Sequence, residues 1–274
     1  MAEAIAGLLS TSSLLDRERR VSYWDRDIGG GRGVVDLKVE TLFGEAPILL
    51  DPEQLEAAQR AIKEKVCIIT GGPGTGKTTL LMAILAMLKR AQLKVALAAP
   101  TGRAAKRMRE STGENAVTLH RLLEYSPREG GFQRGKDNPL EADVVIVDEA
   151  SMVDLVLMDH LLGAVEPHTH LILIGDVDQL PSVGPGSVLK DLLESGAVPV
   201  AVLKRIFRQD RQSLIVVNAH RILQGESLQF SDSRERRDFD FIARDTEEEV
   251  LDTIKELLRE RIPAWLRIDA DDVV

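Results

Sequence analysis

Lys77 and Thr78 close a glycine-rich turn, Gly71-Gly72-Pro73-Gly74-Thr75-Gly76-Lys77-Thr78, and much further on Asp148 and Glu149 end the apolar run Val144-Val-Ile-Val147. The first spacing, G-x-x-x-x-G-K-[ST], is that of a phosphate cradle. Glycines let backbone N–H groups approach a polyanion without Cβ atoms in the way, and the following helix turns its positive end toward it. Gly71, Gly74 and Gly76 are expected to supply the required dihedrals, with Pro73 stiffening the turn. Lys77 would place an ammonium between the outer phosphates of ATP, and Thr78 would complete the coordination of Mg²⁺. Asp148 is suited to hold the same ion, directly or through water. Glu149 is suited to orient and deprotonate the water that attacks the γ-phosphate. Asp-Glu after a strand is a weak signal alone, because acids also cap helices, but a phosphate loop upstream makes it informative.

Two further groups suit a triphosphate. The run Leu171-Ile-Leu-Ile-Gly175 leads into Asp176-Val-Asp-Gln179, where Gln179 could bond the outer phosphate or the attacking water; a plain polar loop is the alternative. Lys204-Arg-Ile-Phe-Arg208-Gln209 offers the Arg208 guanidinium to the γ-phosphate, against an ordinary surface role. Arg103, Lys106, Arg107 and Arg109 form a basic cluster that reads equally as a phosphate contact or as a solvated helix face.

The elements around these residues alternate. Apolar strands are expected at 66–70, 94–99, 144–147, 171–174 and 198–202, with helices at 79–88, 102–109, 119–125, 155–162, 187–193, 214–224 and 246–261. That order implies an α/β fold: a parallel sheet with helices on both faces and ligands at the carboxyl ends of the strands. Residues 1–45 are set apart as an N-terminal extension of unassigned function. Part of it should be strand, through Val35, Leu37 and Val39 after the glycine turn at 29–33. Residues 46–225 form the nucleotide-binding lobe, with a Pro- and Gly-containing insertion at about 126–139 that reads as a hairpin or loop. Residues 226–274 form a C-terminal strand-helix segment.

The composition, 44% hydrophobic and 29% charged over 274 residues, is that of a globular protein. A net charge of -9 argues against holding nucleic acid by bulk positive charge, so any basic surface must be local. Glu3 near the start, the lack of a basic leader and the absence of a long apolar run point to the cytoplasm and away from a membrane. Cys67, the single cysteine, cannot form an internal disulfide and reads as a buried thiol. His168-Thr-His170 lacks companions at metal-ligand spacing, so no metal beyond nucleotide-bound Mg²⁺ is expected.

The order of motifs carries a family resemblance. Gln54 in Leu-Asp-Pro-Glu-Gln is followed by Gly-Gly-Pro-Gly-Thr-Gly-Lys-Thr, Ala-Pro-Thr-Gly-Arg-Ala-Ala and Thr118-Leu-His-Arg-Leu-Leu. Then come Val-Asp-Glu-Ala-Ser-Met, Gly-Asp-x-Asp-Gln-Leu-Pro-Ser-Val and Phe-Arg-Gln. Over residues 45–225 this resembles the first half of a superfamily-one DNA helicase of the RecD type, the exodeoxyribonuclease V alpha subunit and its stand-alone relatives. The resemblance implies a RecA-like P-loop NTPase lobe that hydrolyses ATP in DNA recombination and repair. It implies that Gln54 reads the adenine edge and that Gly72, Pro73, Gly74, Thr75, Gly76, Lys77, Thr78 and Thr79 hold the phosphates. Asp148 would then sit on magnesium, with Glu149 as base, Gln179 as γ-phosphate sensor and Arg208 as charge stabiliser. Thr101, Gly102 and Arg103, helped by Thr118 and His120, would grip single-stranded DNA, which tips the basic cluster toward phosphate contact. The inserted segment would correspond to the hairpin that splits the duplex, a surface loop being the plainer reading. The family moves 5′ to 3′ by closing two lobes around ATP, and some members work with nuclease-helicase subunits. The sequence ends at Val274, near where a second lobe would begin. A lobe alone, without an Arg from across the cleft, is expected to bind nucleotide and hydrolyse it feebly, since such an Arg is worth about 10³ to 10⁵ in rate.

Overall fold

The computed structural model describes residues 2–10, 37–41, 44–207, 213–230 and 238–269. The strands are β1 (Leu37–Thr41), β2 (Gly44–Ile48), β3 (Val66–Gly71), β4 (Val95–Ala99), β5 (Ala116–Thr118), β6 (Tyr125–Ser126), β7 (Gly131–Phe132), β8 (Val144–Val147), β9 (His170–Gly175) and β10 (Val200–Leu203). The helices, numbered in chain order, are α1 (Ala2–Ser10), α2 (Pro52–Lys63), α3 (Lys77–Arg90), α4 (Gly102–Thr112), α5 (Leu119–Leu122), α6 (Leu155–Ala164), α7 (Val188–Ser195), α8 (Leu214–Leu223), α9 (Glu247–Glu256) and α10 (Ile262–Leu266).

Six strands form one parallel sheet in the order β10-β3-β9-β8-β4-β5. The apolar runs are continuous because both faces are covered, and successive residues serve opposite sides. Cys67, Ile69, Ile146, Ile172 and Ile174 belong to a core shared with α2 and α3. Val66, Ile68, Val145, Val147, Leu171 and Leu173 belong to a second core with Leu119, Leu157, Leu161 and Leu189. From β3 the chain crosses to β4 on one side, and from β9 it passes to β10 on the other. β9 therefore lies between the strand of the glycine turn and the strand of the paired acids, a topological switch point that opens a crevice at the carboxyl ends.

Several elements differ from the sequence reading. Helix α2 is not among the expected helices, although Asp51-Pro-Glu-Gln54 is a capping box: Asp51 Oδ1 accepts from Gln54 N (2.9 Å) and Gln54 Oε1 accepts from Asp51 N (3.2 Å). The helix expected to reach residue 125 stops at Leu122, because Glu124 turns left-handed (φ 53°) and Tyr125 opens an antiparallel pair with Phe132. The insertion is thus a short hairpin, β6-β7, closed around a 3-10 turn at Pro127–Glu129. Strand β5, three residues long, is too short to show a period. The helix expected over 246–261 runs on through a π-helical turn at Leu257–Arg261 into α10, directly ahead of Pro263, which has no N–H to give.

At the N-terminus, Leu37 and Val39 lie in β1, paired antiparallel with β2, while Val35 falls outside the described residues. Helix α1 packs Ile5 and Leu8 into the second core, so this part of the extension shares the lobe's interior. Among the described residues no helix is long and apolar enough to cross a membrane.

Candidate active site

Strand β3 ends at Gly71, and its backbone enters a loop whose Gly74 and Gly76 have φ of 73° and 77°. Such left-handed values cost an L-residue energy and cost glycine little. Gly71 needs to be glycine for a different reason from the one expected: its φ is ordinary, but a Cβ would come 2.7 Å from Thr75 Oγ1 and 2.8 Å from the Leu203 carbonyl. Gly76 caps α3 without a side chain, so the first N–H groups of that helix lack a side-chain acceptor and face whatever anion enters.

The loop opens on a cleft of about 680 Å³ lined by residues 73–78, by Asp148 and Glu149 after β8, by Gln179 beyond β9, and by Arg107 of α4. Lys77 and the two acids therefore meet across one cavity. Lys77 Nζ donates to the Gly71 (2.5 Å) and Gly72 (3.0 Å) carbonyls, and Thr75 Oγ1 donates to Gly72 O (2.8 Å). Burial lowers the Lys77 pKa, opposed by the carboxylates of Asp176, Glu149 and Asp148. Burial likewise pushes the Asp148 carboxyl up; the Glu149 N–H that it accepts (2.9 Å) pulls it down, the Glu149 charge raises it, and Lys77 and Arg107 lower it. Glu149 sits in the left-handed region (φ 53°, ψ 39°), a strained setting for a side chain with a Cβ, of the kind that concentrates at functional sites. The donor set of Thr78 hydroxyl and Asp148 carboxylate is all oxygen, which fits Mg²⁺.

Gln54 is almost fully buried, and its amide is engaged at both ends: Oε1 in the capping box and Nε2 on the Gly76 carbonyl (3.2 Å). These two bonds leave the second N–H of Nε2 and the second lone pair of Oε1 for an adenine edge. Thr79 stands exposed in the first turn of α3, beside Thr78. Arg208 lies outside the described residues; Phe207, next to it, donates its N–H to Gly74 O (3.0 Å).

The residues expected to grip a strand occupy neighbouring strand ends. Ala99 of β4 pairs with Thr118 of β5. Thr101 caps α4 through Ala104 N, and Thr118 caps α5 through Arg121 N, each at 3.2 Å. Gly102, Arg103 and His120 are exposed there. The basic cluster divides: Arg103 remains outside, whereas Arg107, one turn on, faces the cleft. His168 pairs with Glu166 (3.2 Å), while buried His170 places Nδ1 3.1 Å from the Glu64 carbonyl.

Three residues with a place at the site were given no role from sequence, and Arg107 was named only as one member of its basic cluster. Asp176 is buried, and its carboxylate is the largest influence opposing the lowered Lys77 pKa; its position directly after an apolar strand was the available signal. Phe207 covers Gly76, and His220 of α8 backs the loop, its ring 2.8 Å from where a Gly72 Cβ would lie and its Nε2 3.4 Å from Pro73 O. Nothing local in the sequence signals these two contacts.

A parallel sheet carrying a phosphate loop and an acid pair on strands separated by one other is a P-loop NTPase lobe of RecA-like architecture. Residues 54–185 match the family described as an AAA domain. The ATP-dependent RecD2 DNA helicase of Deinococcus radiodurans is 40% identical over 68% of this chain and 25% of its own length. The RecBCD enzyme subunit RecD of Mycolicibacterium smegmatis is 45% identical over 57% of this chain and 33% of its own. The Pif1 helicase from Candida albicans, a solved structure, overlaps 60% of this chain and 42% of that one, at 28% identity and a TM-score of 0.48. The matched residues are similar to RecD-type helicases, and the chain spans a quarter to a third of the length of these two curated relatives.

Proposed function

We propose that this chain is the first motor lobe of an ATP-dependent DNA helicase. In the full-length protein it binds ATP-Mg and single-stranded DNA and uses hydrolysis to drive 5′–3′ translocation and unwinding at duplex junctions, in recombination and repair. The observation that carries the reading is the meeting of Lys77, Asp148, Glu149 and Gln179 in one cleft, with the Thr101 and Thr118 helix caps on adjacent strand ends. The names of the relatives, a DNA helicase and a subunit of the RecBCD enzyme, support it and suggest nuclease-helicase partners and a cytoplasmic setting.

The residues divide the work. Lys77 leaves the Gly71 and Gly72 carbonyls for phosphate oxygens, so loading exchanges two neutral acceptors for charged ones. Thr78 and Asp148 would hold Mg²⁺, which neutralises charge developing on the phosphates. Glu149 takes the proton of the attacking water, held by its backbone at the cleft wall. Gln179 senses the outer phosphate, and Arg107 and Arg208 supply compensating charge. Gln54 reads adenine through its second N–H and remaining lone pair. Thr101, Gly102, Arg103, Thr118 and His120 hold the strand.

A P-loop switch acting on a non-DNA partner is the competing reading, and one pair of variants separates the two. Lys77→Ala is expected to abolish binding of a fluorescent ATP analogue. Arg103→Ala is expected to weaken single-strand binding and leave nucleotide affinity nearly intact. Unchanged analogue affinity in Lys77→Ala would refute the site; no affinity of the unaltered chain for single strands would favour the switch.

A further inference from the structure

The backbone that leaves β10 is held at both ends of a short stretch. Lys204 N and Arg205 N, the first two N–H groups past Leu203, both donate to Glu53 Oε2, at 2.9 and 3.0 Å. Phe207 N donates to Gly74 O (3.0 Å), and the Phe207 ring lies over Gly76. Residues 204–207 thus form a strap that starts on α2 and ends on the phosphate loop. Helix α2 grips β10 a second time, where Arg60 Nη1 donates to Val200 O (2.6 Å).

Glu53 is the second residue of α2, and an acid in the first turn of a helix is ordinarily accounted for by the helix dipole and by that turn's own N–H groups. Here Asp51 serves that turn, its Oδ1 accepting from Gln54 N. The Glu53 carboxylate is left for the strap, and a charged acceptor makes each of its two bonds stronger than a neutral one would. Arg205 adds its guanidinium 3.7 Å from Asp51 Oδ2, so charge also ties the strap to the start of the helix.

What the strap secures lies next to Glu53 in the sequence. A Cβ on Gly76 would meet Gln54 Nε2 and Phe207 Cε2 first, so both side chains occupy the same face of the loop. With Nε2 on Gly76 O and Oε1 on Asp51 N, the Gln54 amide has one N–H and one lone pair to offer. That pair matches adenine, whose N6 donates and N7 accepts; guanine presents two acceptors there, O6 and N7. A mobile amide could turn its oxygen away from guanine and keep one bond. An amide held at both ends, with Phe207 closing the same face of Gly76, cannot.

We propose that Glu53 is a positioning residue for base recognition: by anchoring the strap it keeps Phe207 on the loop and Gln54 in the orientation that accepts adenine over guanine. This rests on the reading of the lobe as an ATPase with Gln54 at the base, and adds what makes that amide selective.

The test is titration of this chain with ribose-labelled fluorescent analogues of ATP and of GTP, read as the ratio of the two dissociation constants. The unaltered chain is expected to prefer the adenine analogue by about tenfold or more. Glu53→Ala is expected to cut that preference by about fivefold, chiefly by weakening the adenine analogue. Glu53→Gln keeps one oxygen to accept both N–H groups and is expected to restore it. A loop that was merely loosened would bind both analogues more weakly in the same proportion, so the ratio separates positioning from support. Glu53→Ala added to Gln54→Ala should change the ratio no further. A Glu53→Ala variant with the unaltered preference, a Glu53→Gln variant that fails to restore it, or a further fall in the double variant overturns the proposal. A chain that binds both analogues without preference removes Gln54 from the base, and this inference with it, while the phosphate site stands. A chain that binds neither analogue refutes the nucleotide site itself.

Discussion

Gly76→Ala tests whether the phosphate loop is held from outside as well as by its own dihedrals. The new Cβ would demand a left-handed alanine, at a cost of roughly 1 kcal/mol. It would also overlap Gln54 Nε2 and come 2.8 Å from Phe207 Cε2. Gln54 is 1% exposed and has nowhere to retreat without giving up its bond to Gly76 O and its half of the capping box, each worth about 1 kcal/mol. Gly113 supplies the control: its φ of 70° is just as left-handed, but a Cβ there meets nothing within 4 Å. Urea unfolding followed by circular dichroism should therefore show a loss of about 3 kcal/mol for Gly76→Ala and about 1 kcal/mol for Gly113→Ala. In a Gln54→Ala background, which removes both of these bonds, the excess at Gly76 should shrink by about 2 kcal/mol, a coupling that a double-mutant cycle resolves. Equal losses at the two glycines, or no coupling to Gln54, would refute the claim that Gln54 and Phe207 clamp the loop.

Cys67 should be chemically silent. Burial pushes its thiol up to about 12, with Arg60 lowering it and Glu64 adding a smaller rise, so Ellman's reagent should react only at the rate of unfolding. The folded pKa lies above the unfolded value of 9.0, so the stability linked to this group is intact below pH 9 and is lost as pH rises toward about 12. Relative to Cys67→Ala, the unaltered chain should lose about 1.4 kcal/mol per pH unit in that range, and parallel pH profiles would disprove it. Glu149→Gly is expected to leave the unfolding free energy unchanged or raise it by up to about 1 kcal/mol, because it removes left-handed strain and a charge beside Asp148. The same change should eliminate hydrolysis, and a clear loss of stability in urea would show that the backbone at 149 is not strained.

The phosphate loop was legible because its requirements are local. Its glycines, lysine and threonine lie within eight residues, and the strand before and helix after are set by apolar runs and helix propensity in short windows. The buried strands could be read for the same reason: covered on both faces, they become uninterrupted β-branched runs, as in Val144–Val147. Asp148 and Gln179 owed their assignment to position after such runs and to family resemblance. Their shared cavity with Lys77 follows from the placement of β9 between β3 and β8, a long-range choice that no window of sequence contains.

Side-chain direction was less accessible still. Arg103 and Arg107 are one helical turn apart and chemically identical, but only the docking angle of α4 against the sheet sends Arg107 into the nucleotide cleft. Gln54 carried a family role in the sequence reading, while its two hydrogen bonds depend on where α2 meets the loop. Tyr125, Phe132, His120 and His160 come from four separate elements and became a single ring surface only when the hairpin folded back over α5 and α6. Chemistry carried by neighbours in the chain is written in residue types and spacing; chemistry carried by neighbours in space depends on the packing of elements, which minimises exposed apolar area over the whole molecule at once.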